Sequence, residues 1–180
     1  MKCLKYNMKL FTTIISLILA VSSCSDQASE QQHMPSQQQV NHDLEELNRQ
    51  MARNEEAQID SYVDRRAWQM QKTGTGLRYW IYEQGSGAAT KEGLLAKVNY
   101  CVSLLNGDTI YTSDEAGPKE FMIGQDNVES GLHEGILFLH VGDKARFILP
   151  SHLAHGLSGD QDKIPPRHTV VYDIELLSLR

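Results

Sequence analysis

Runs of basic residues are absent from this sequence, and that absence removes several functions at once. Its 17 Lys and Arg are outnumbered by 23 Asp and Glu, for a formal charge of −6. No cluster could neutralise a phosphate backbone or an anionic membrane surface. Nucleic acid is therefore not expected as a partner, nor is charge as the means of membrane attachment. Cysteine is scarce: only Cys3, Cys24 and Cys101 occur, with no spacing that suggests a metal constellation. Long apolar runs are missing too. The best stretch reaches from Leu10 to Val21 and includes Thr12, Thr13 and Ser16, whereas a membrane-crossing helix needs about 20 apolar residues. What remains is an ordinary composition, 41% apolar and 7% aromatic, enough for one core in a unit of about 100 residues.

The N-terminus reads as a targeting segment. Lys2, Lys5 and Lys9 precede the apolar stretch, and small Ser22 and Ser23 follow it, so residues 1–23 form a secretory signal. Val21-Ser22-Ser23-Cys24 resembles a bacterial lipobox, in which the cysteine is acylated and becomes the new N-terminus; the alternative is a plain signal with a chance cysteine. Lipidation of Cys24 also accounts for the cysteine count, since Cys101 is then left without a disulfide partner even in an oxidising compartment. The expected location is the bacterial cell envelope, with the chain exported and lipid-anchored at the outer membrane. Several acyl chains bind far more firmly than one.

Residues 24–42 are rich in Gln and Ser and poor in apolar side chains, which predicts a flexible tether. Residues 43–72 carry helix formers, with Leu44, Leu47 and Met51 on one stripe and Ile59, Val63 and Met70 on a later one. This spacing predicts a helical extension, with a break near Asn54. So few apolar positions fit packing or spacing better than a coiled coil, although dimerisation through the extension stays open. Thr73-Gly74-Thr75-Gly76 ends the extension and opens a domain over residues 73–180.

Within that domain the period changes to two. Leu77, Tyr79 and Ile81 alternate, as do Val98, Tyr100, Val102 and Leu104 before the turn dipeptide Asn106-Gly107. Ala145, Phe147 and Leu149, then Val170, Tyr172, Ile174 and Leu176, repeat the pattern. These are half-buried antiparallel strands. Leu132, Ile136 and Leu139 share one short helical face, with Gly142 placed as its C-cap. One short helix against several strands is an α+β arrangement.

Four stretches then resemble the FKBP-type peptidyl-prolyl isomerases in order and spacing. They are Gly131-Leu132-His133-Glu134-Gly135, Val141-Gly142-Asp143-Lys144-Ala145, Ile164-Pro165-Pro166 and Val171-Tyr172-Asp173-Ile174-Glu175-Leu176-Leu177. In style they are similar to the gliding-motility-associated lipoprotein isomerases of Bacteroidota. The resemblance implies a five- or six-stranded antiparallel half-barrel wrapped on one short helix, with an apolar pocket that receives proline. It places Tyr100, Tyr111, Phe121, Glu129, His155 and Tyr172 as catalytic residues, with Ile110, Val128, Leu132, Ala154 and Ile164 lining the substrate. Leu132 is to form the floor. Glu129 is to act through its backbone N–H rather than its side chain.

The implied chemistry needs no nucleophile, metal or cofactor. Its substrates are proline-containing polypeptides, and its use is the folding of exported proteins. Ile110 and Tyr111 stand where the family has Phe and Asp, Leu132 where it has Trp, and His155 where it has Tyr. A proline-binding chaperone or envelope-complex subunit with little turnover is the rival reading, motivated by Ile110 and Tyr111. His152 and His155 near Asp160 and Asp162 have some metal-ligand character, but no tight constellation completes such a site. His133 and His140 read as solvent-facing.

Overall fold

The computed structural model describes residues 36–180. The expected signal segment, Cys24 and most of the predicted tether lie outside the described residues. Helix α1, Gln37–Arg66, opens the described chain. Ser36 caps it, its hydroxyl accepting from the Gln39 N–H at 3.2 Å, which is the usual way to satisfy an orphan donor in a first helical turn. The helix therefore starts earlier than the apolar stripe suggests and runs unbroken through Asn54. It also stops earlier, at Ala67, which adopts a left-handed φ of 50°.

Among the described residues seven antiparallel strands form one sheet: β1 Gln71–Lys72, β2 Arg78–Glu83, β3 Leu95–Leu104, β4 Thr109–Thr112, β5 Lys119–Met122, β6 Lys144–Leu149 and β7 Val170–Leu179. Their order is β1-β2-β6-β7-β3-β4, with β5 also pairing β3. Seven exceeds the five or six expected because β1 adds a two-residue edge and β5 hangs beside β4 on β3. Short helices α2, Ser113–Ala116, and α3, Ser130–Ile136, complete the set with a 3₁₀ turn at Ser151–Leu153.

Alternation along the two central strands decides which face each residue serves. Phe147 opposes Tyr172 and Leu149 opposes Val170, while Ile148 opposes Val171. The first two pairs join the main core with Val98, Val102, Leu132, Ile136 and Leu139. Ile148 and Val171 point the other way and meet Ile59 and Tyr62 of α1. The sheet is thus covered on both faces, by α3 on one and by the second half of α1 on the other. Ile59 is wholly buried and Tyr62 nearly so, so this half of α1 is part of the folded unit. Polar anchors reinforce it. Arg78, 5% exposed, donates to Asp60 at 2.5 Å, and the Glu55 carboxylate accepts from the Ser151 N–H at 2.7 Å and the Thr169 hydroxyl at 2.6 Å.

α3 approaches the sheet closely because it presents glycines to it. A Cβ at Gly135 would lie 2.9 Å from the Phe147 ring, and one at Gly131 would lie 2.6 Å from Leu149 Cγ. The predicted C-cap does not form: α3 ends at Leu137. Gly142, at φ 94°, instead turns the chain into β6, where the Asp143 carboxylate takes the His140 and Gly85 N–H groups.

Candidate functional site

Nine of the eleven residues assigned to the pocket from the sequence belong to the main core or pack against it, and the other two, Glu129 and His155, are linked to it through Tyr172. Phe121, Leu132, Ile164 and Tyr172 are buried in it, and Tyr100, Ile110, Tyr111, Val128 and Ala154 pack against it half-buried. β3 and β7 bring Tyr100 and Tyr172 to the same face, because Val102 is the partner of Tyr172 and Tyr100 of Ile174. α3 supplies Leu132, 1% exposed, to the same core. The turn that follows the 3₁₀ element supplies Ala154 and His155. Phe121 is only 1% exposed and lies edge to face with the His133 ring, their centroids 5.9 Å apart. His133 is itself held, accepting from the Gly124 N–H at 2.9 Å with its other nitrogen 2.9 Å from the Asp126 carbonyl, and is not the free surface histidine expected.

Glu129 is the main surprise. It is the N-cap residue of α3, yet its side chain makes no capping bond because it turns into the site. Tyr172 donates its hydroxyl to Glu129 Oε1 at 2.7 Å, and His155 Nε2 lies 3.1 Å from the same oxygen. The carboxylate is 10% exposed, and Oε2 is buried without a hydrogen-bond partner among the described residues. Burial, and then the charge of Glu129, push the Tyr172 phenol well above its ordinary value, so it remains a donor. The Glu129 backbone N–H makes no hydrogen bond to the described residues, which leaves it free for a carbonyl. Sequence reasoning gave the backbone a role and missed the carboxylate, because nothing in a chain pattern announces that Tyr172 and His155 will meet at one oxygen.

The second addition is Asp160. Tyr111 donates to its Oδ2 at 2.5 Å, while Asp160 Oδ1 accepts from the Asp162 and Ile164 N–H groups at 2.9 and 2.7 Å. Burial alone would raise this carboxyl, but the Tyr111 hydroxyl and the two N–H donors outweigh it and hold the group down at about 2. The same bond, with burial and the neighbouring carboxylates, pushes Tyr111 up to about 12. The ammonium of Lys163 lies 5.1 Å above the Tyr111 ring. The preceding turn admits only glycine: Gly159 has φ 65°, and a Cβ there would sit 2.2 Å from the Ile164 carbonyl. Tyr111 therefore fixes the segment that presents Ile164 to the pocket. A Gly-Asp-x-Asp turn signal was the available clue to Asp160. His152 and His155 do not converge on a common point, since His152 Nε2 takes the Thr75 carbonyl at 3.0 Å and His155 takes Glu129.

A family model described as FKBP-type peptidyl-prolyl cis-trans isomerase matches residues 87–177, the span that holds nearly every one of these residues. The chain belongs to this family. FK506-binding protein 2 of Dictyostelium discoideum is 40% identical over 91 residues, covering 50% of this chain and 68% of that protein. The FKBP-type peptidyl-prolyl cis-trans isomerase FkpA of Escherichia coli is 32% identical over 164 residues, covering 88% of this chain and 59% of the relative. This chain thus spans about three fifths of that relative's length. The crystal structure of FkpA from Escherichia coli matches with a TM-score of 0.62 at 26% identity, covering 97% of this chain and 82% of that one. The FKBP-type reading of the sequence and the α+β half-barrel are borne out, and the reaction class is that of the family.

Proposed function

We propose that this chain catalyses X–Pro cis-trans isomerisation in exported polypeptides and is held at the envelope by lipid on Cys24. The observation that carries the catalytic part is the Glu129 backbone N–H, without a hydrogen-bond partner among the described residues, on a residue whose side chain bonds Tyr172 of the main core. Rotation about X–Pro is slow because the planar amide must lose resonance, a barrier of roughly 18–20 kcal/mol. The twisted amide carries less charge separation than the planar one, so transfer from water into a pocket walled by Tyr100, Ile110 and Leu132 favours it. The N–H donor holds the neighbouring carbonyl while the bond turns. No covalent step is needed, and acceleration comes from binding the twisted form better than the planar one. Tyr111 does not orient the amide in place of the family's Asp; its hydroxyl is committed to Asp160.

The test is a line-shape or exchange measurement of cis-trans interconversion in an X–Pro peptide, with and without the chain. Acceleration is expected. Binding without acceleration, read as a ligand-dependent rise in thermal midpoint, would establish the proline-binding chaperone reading instead. Export and lipidation rest on the basic-apolar-small order of residues 1–23 and on the lipobox resemblance at Cys24. Mass spectrometry of the mature N-terminus decides them: an acylated Cys24 is expected, and an unmodified one ends the anchor proposal. Of the exposed Leu44, Leu47 and Met51, candidates for pairing two copies, Met51 also lines the groove described below.

A further inference from the structure

Between α1 and the turn that carries the pocket residues runs a groove of about 580 Å³, lined by Met51, Ala52, Leu105, Leu157, Arg167 and His168 among others. We propose that this groove is a subsite for the client chain, taking an apolar, extended stretch that flanks the proline bound in the pocket. The proposal rests on the prolyl-pocket reading and adds to it a second, sequence-selective contact.

Continuity with the pocket is the first argument. Leu153 and Ala154 pack into the main core and His155 pairs with Glu129, whereas the next two residues, Gly156 and Leu157, line the groove. Successive Cα atoms are about 3.8 Å apart, so one turn of chain forms the wall of both sites. The far side is joined in the same way: Ile164 belongs to the pocket, Arg167 belongs to the groove, and the Arg167 N–H donates to the Gly156 carbonyl at 2.8 Å. An extended peptide advances about 3.3 Å per residue. A chain leaving the pocket over this turn enters the groove within about two or three residues.

The lining chemistry selects the occupant. Leu157 is 72% exposed and Met51 39%, and Met51 continues the stripe of Leu44 and Leu47 along α1. The Met51 sulfur accepts from the Arg167 guanidinium at 2.8 Å, so Leu157 is the open apolar element of this surface, and an exposed apolar patch beside a binding pocket marks a contact surface. Glu55 is the sole acid in the lining, and both its oxygens are engaged by Ser151 and Thr169. No free carboxylate is left to attract a basic segment, while Arg167 and His168 disfavour one. The occupant is therefore apolar and neutral or acidic. The same Glu55 bonds fix α1 against the turn before any ligand arrives, so little ordering is left to oppose binding. A volume of this size is within the range of ordinary ligand sites.

The experiment uses the full chain and three kinds of peptide: a tetrapeptide containing X–Pro, and the same core extended by five residues on either side with a Leu-rich or a Ser-rich sequence. Affinity is read by fluorescence competition and, where turnover occurs, by KM. A Leu-rich extension on one side should tighten binding at least about tenfold, a Ser-rich one should not, and Leu157→Asp or Met51→Asp should remove the gain while leaving the tetrapeptide unaffected. Equal binding of all peptides, or a gain that survives both substitutions, overturns the proposal. So does sedimentation showing that the chain pairs and that Leu157→Asp separates it, because the groove is then filled by a second copy. Failure to turn over the tetrapeptide refutes the isomerase reading alone, since binding still reports on the groove.

Discussion

Removing one hydroxyl tests the buried carboxylate. In Tyr172→Phe the ring, 5% exposed, keeps its packing, but Glu129 Oε1 loses the donor at 2.7 Å and retains only His155 at 3.1 Å. Oε2 has no partner among the described residues to compensate. A hydrogen bond to a charged group contributes about 1.5–3 kcal/mol, and leaving a buried charge short of donors puts the loss in the middle or upper part of that range. We expect a destabilisation of about 2 kcal/mol, which for a folded unit of this size lowers the thermal midpoint by roughly 6–8 °C. Tyr79→Phe is the control, because its hydroxyl reaches only the neutral, exposed Gln71 amide at 2.7 Å and its loss should stay within about 0.5 kcal/mol. Urea denaturation supplies both numbers, with unchanged slopes required for the comparison. In a Glu129→Gln background the Tyr172→Phe effect should shrink to about 1 kcal/mol, the difference being the coupling of hydroxyl and charge. If Tyr172→Phe is no worse than Tyr79→Phe, the carboxylate does not depend on this bond and the account of the site is wrong.

Glu55→Ala should destabilise by about 1–3 kcal/mol by stranding the Ser151 N–H and two hydroxyls, with Glu55→Gln intermediate; a denaturation midpoint equal to wild type for both would refute the anchoring role. The depressed Asp160 carboxyl gives a pH signature: its folded value of about 2 lies below the ordinary value of 3.8, so its contribution is complete above pH 4 and is lost as pH falls from 3.8 toward 2. Tyr111→Phe should move the Asp160 carboxyl resonance to titrate at higher pH, and an unmoved titration would sink the hydrogen-bond assignment. Because Tyr111 is raised to about 12, the converse loss occurs as pH climbs from 10 toward 12, visible as delayed tyrosinate absorbance that Tyr111→Phe removes.

The strands were legible because a half-buried antiparallel strand writes its geometry in period two. Phe147 and Leu149, like Tyr172 and Ile174, could face only one core once the alternation was seen. α1 was less legible for a physical reason. Its first stripe, Leu44, Leu47 and Met51, is exposed; the second, Ile59, Val63 and Met70, does pack, but the pattern does not single out Tyr62 beside them nor show that only this half of the helix is anchored. Its anchors are also polar, and the sequence does not say that Glu55 will find Ser151 and Thr169, nor Asp60 Arg78. Helix capping moved the start as well, since Ser36 caps without regard to where the stripe begins.

The pocket divides along the same line. Two of its apolar members, Tyr100 and Leu132, sit on a strand face and a helix face that the period shows, because burial is a property a local pattern can carry; Ile110, Val128 and Ile164 follow from the family resemblance alone, the last two lying in bends. Its polar members depend on pairs distant in sequence, Glu129 with Tyr172 and Tyr111 with Asp160, and each pair alters the role its residues would have singly. Tyr111 in isolation reads as a lost carboxylate; beside Asp160 it is a clamp on the segment that carries Ile164. This has a consequence for any attempt to restore an acidic residue there. Tyr111→Asp would remove the clamp and aim a third carboxylate at Asp160 and Asp162, and like charges at such distances disfavour one another's ionisation. The segment should open, not tighten, so the polar half of this site can only be exchanged as pairs.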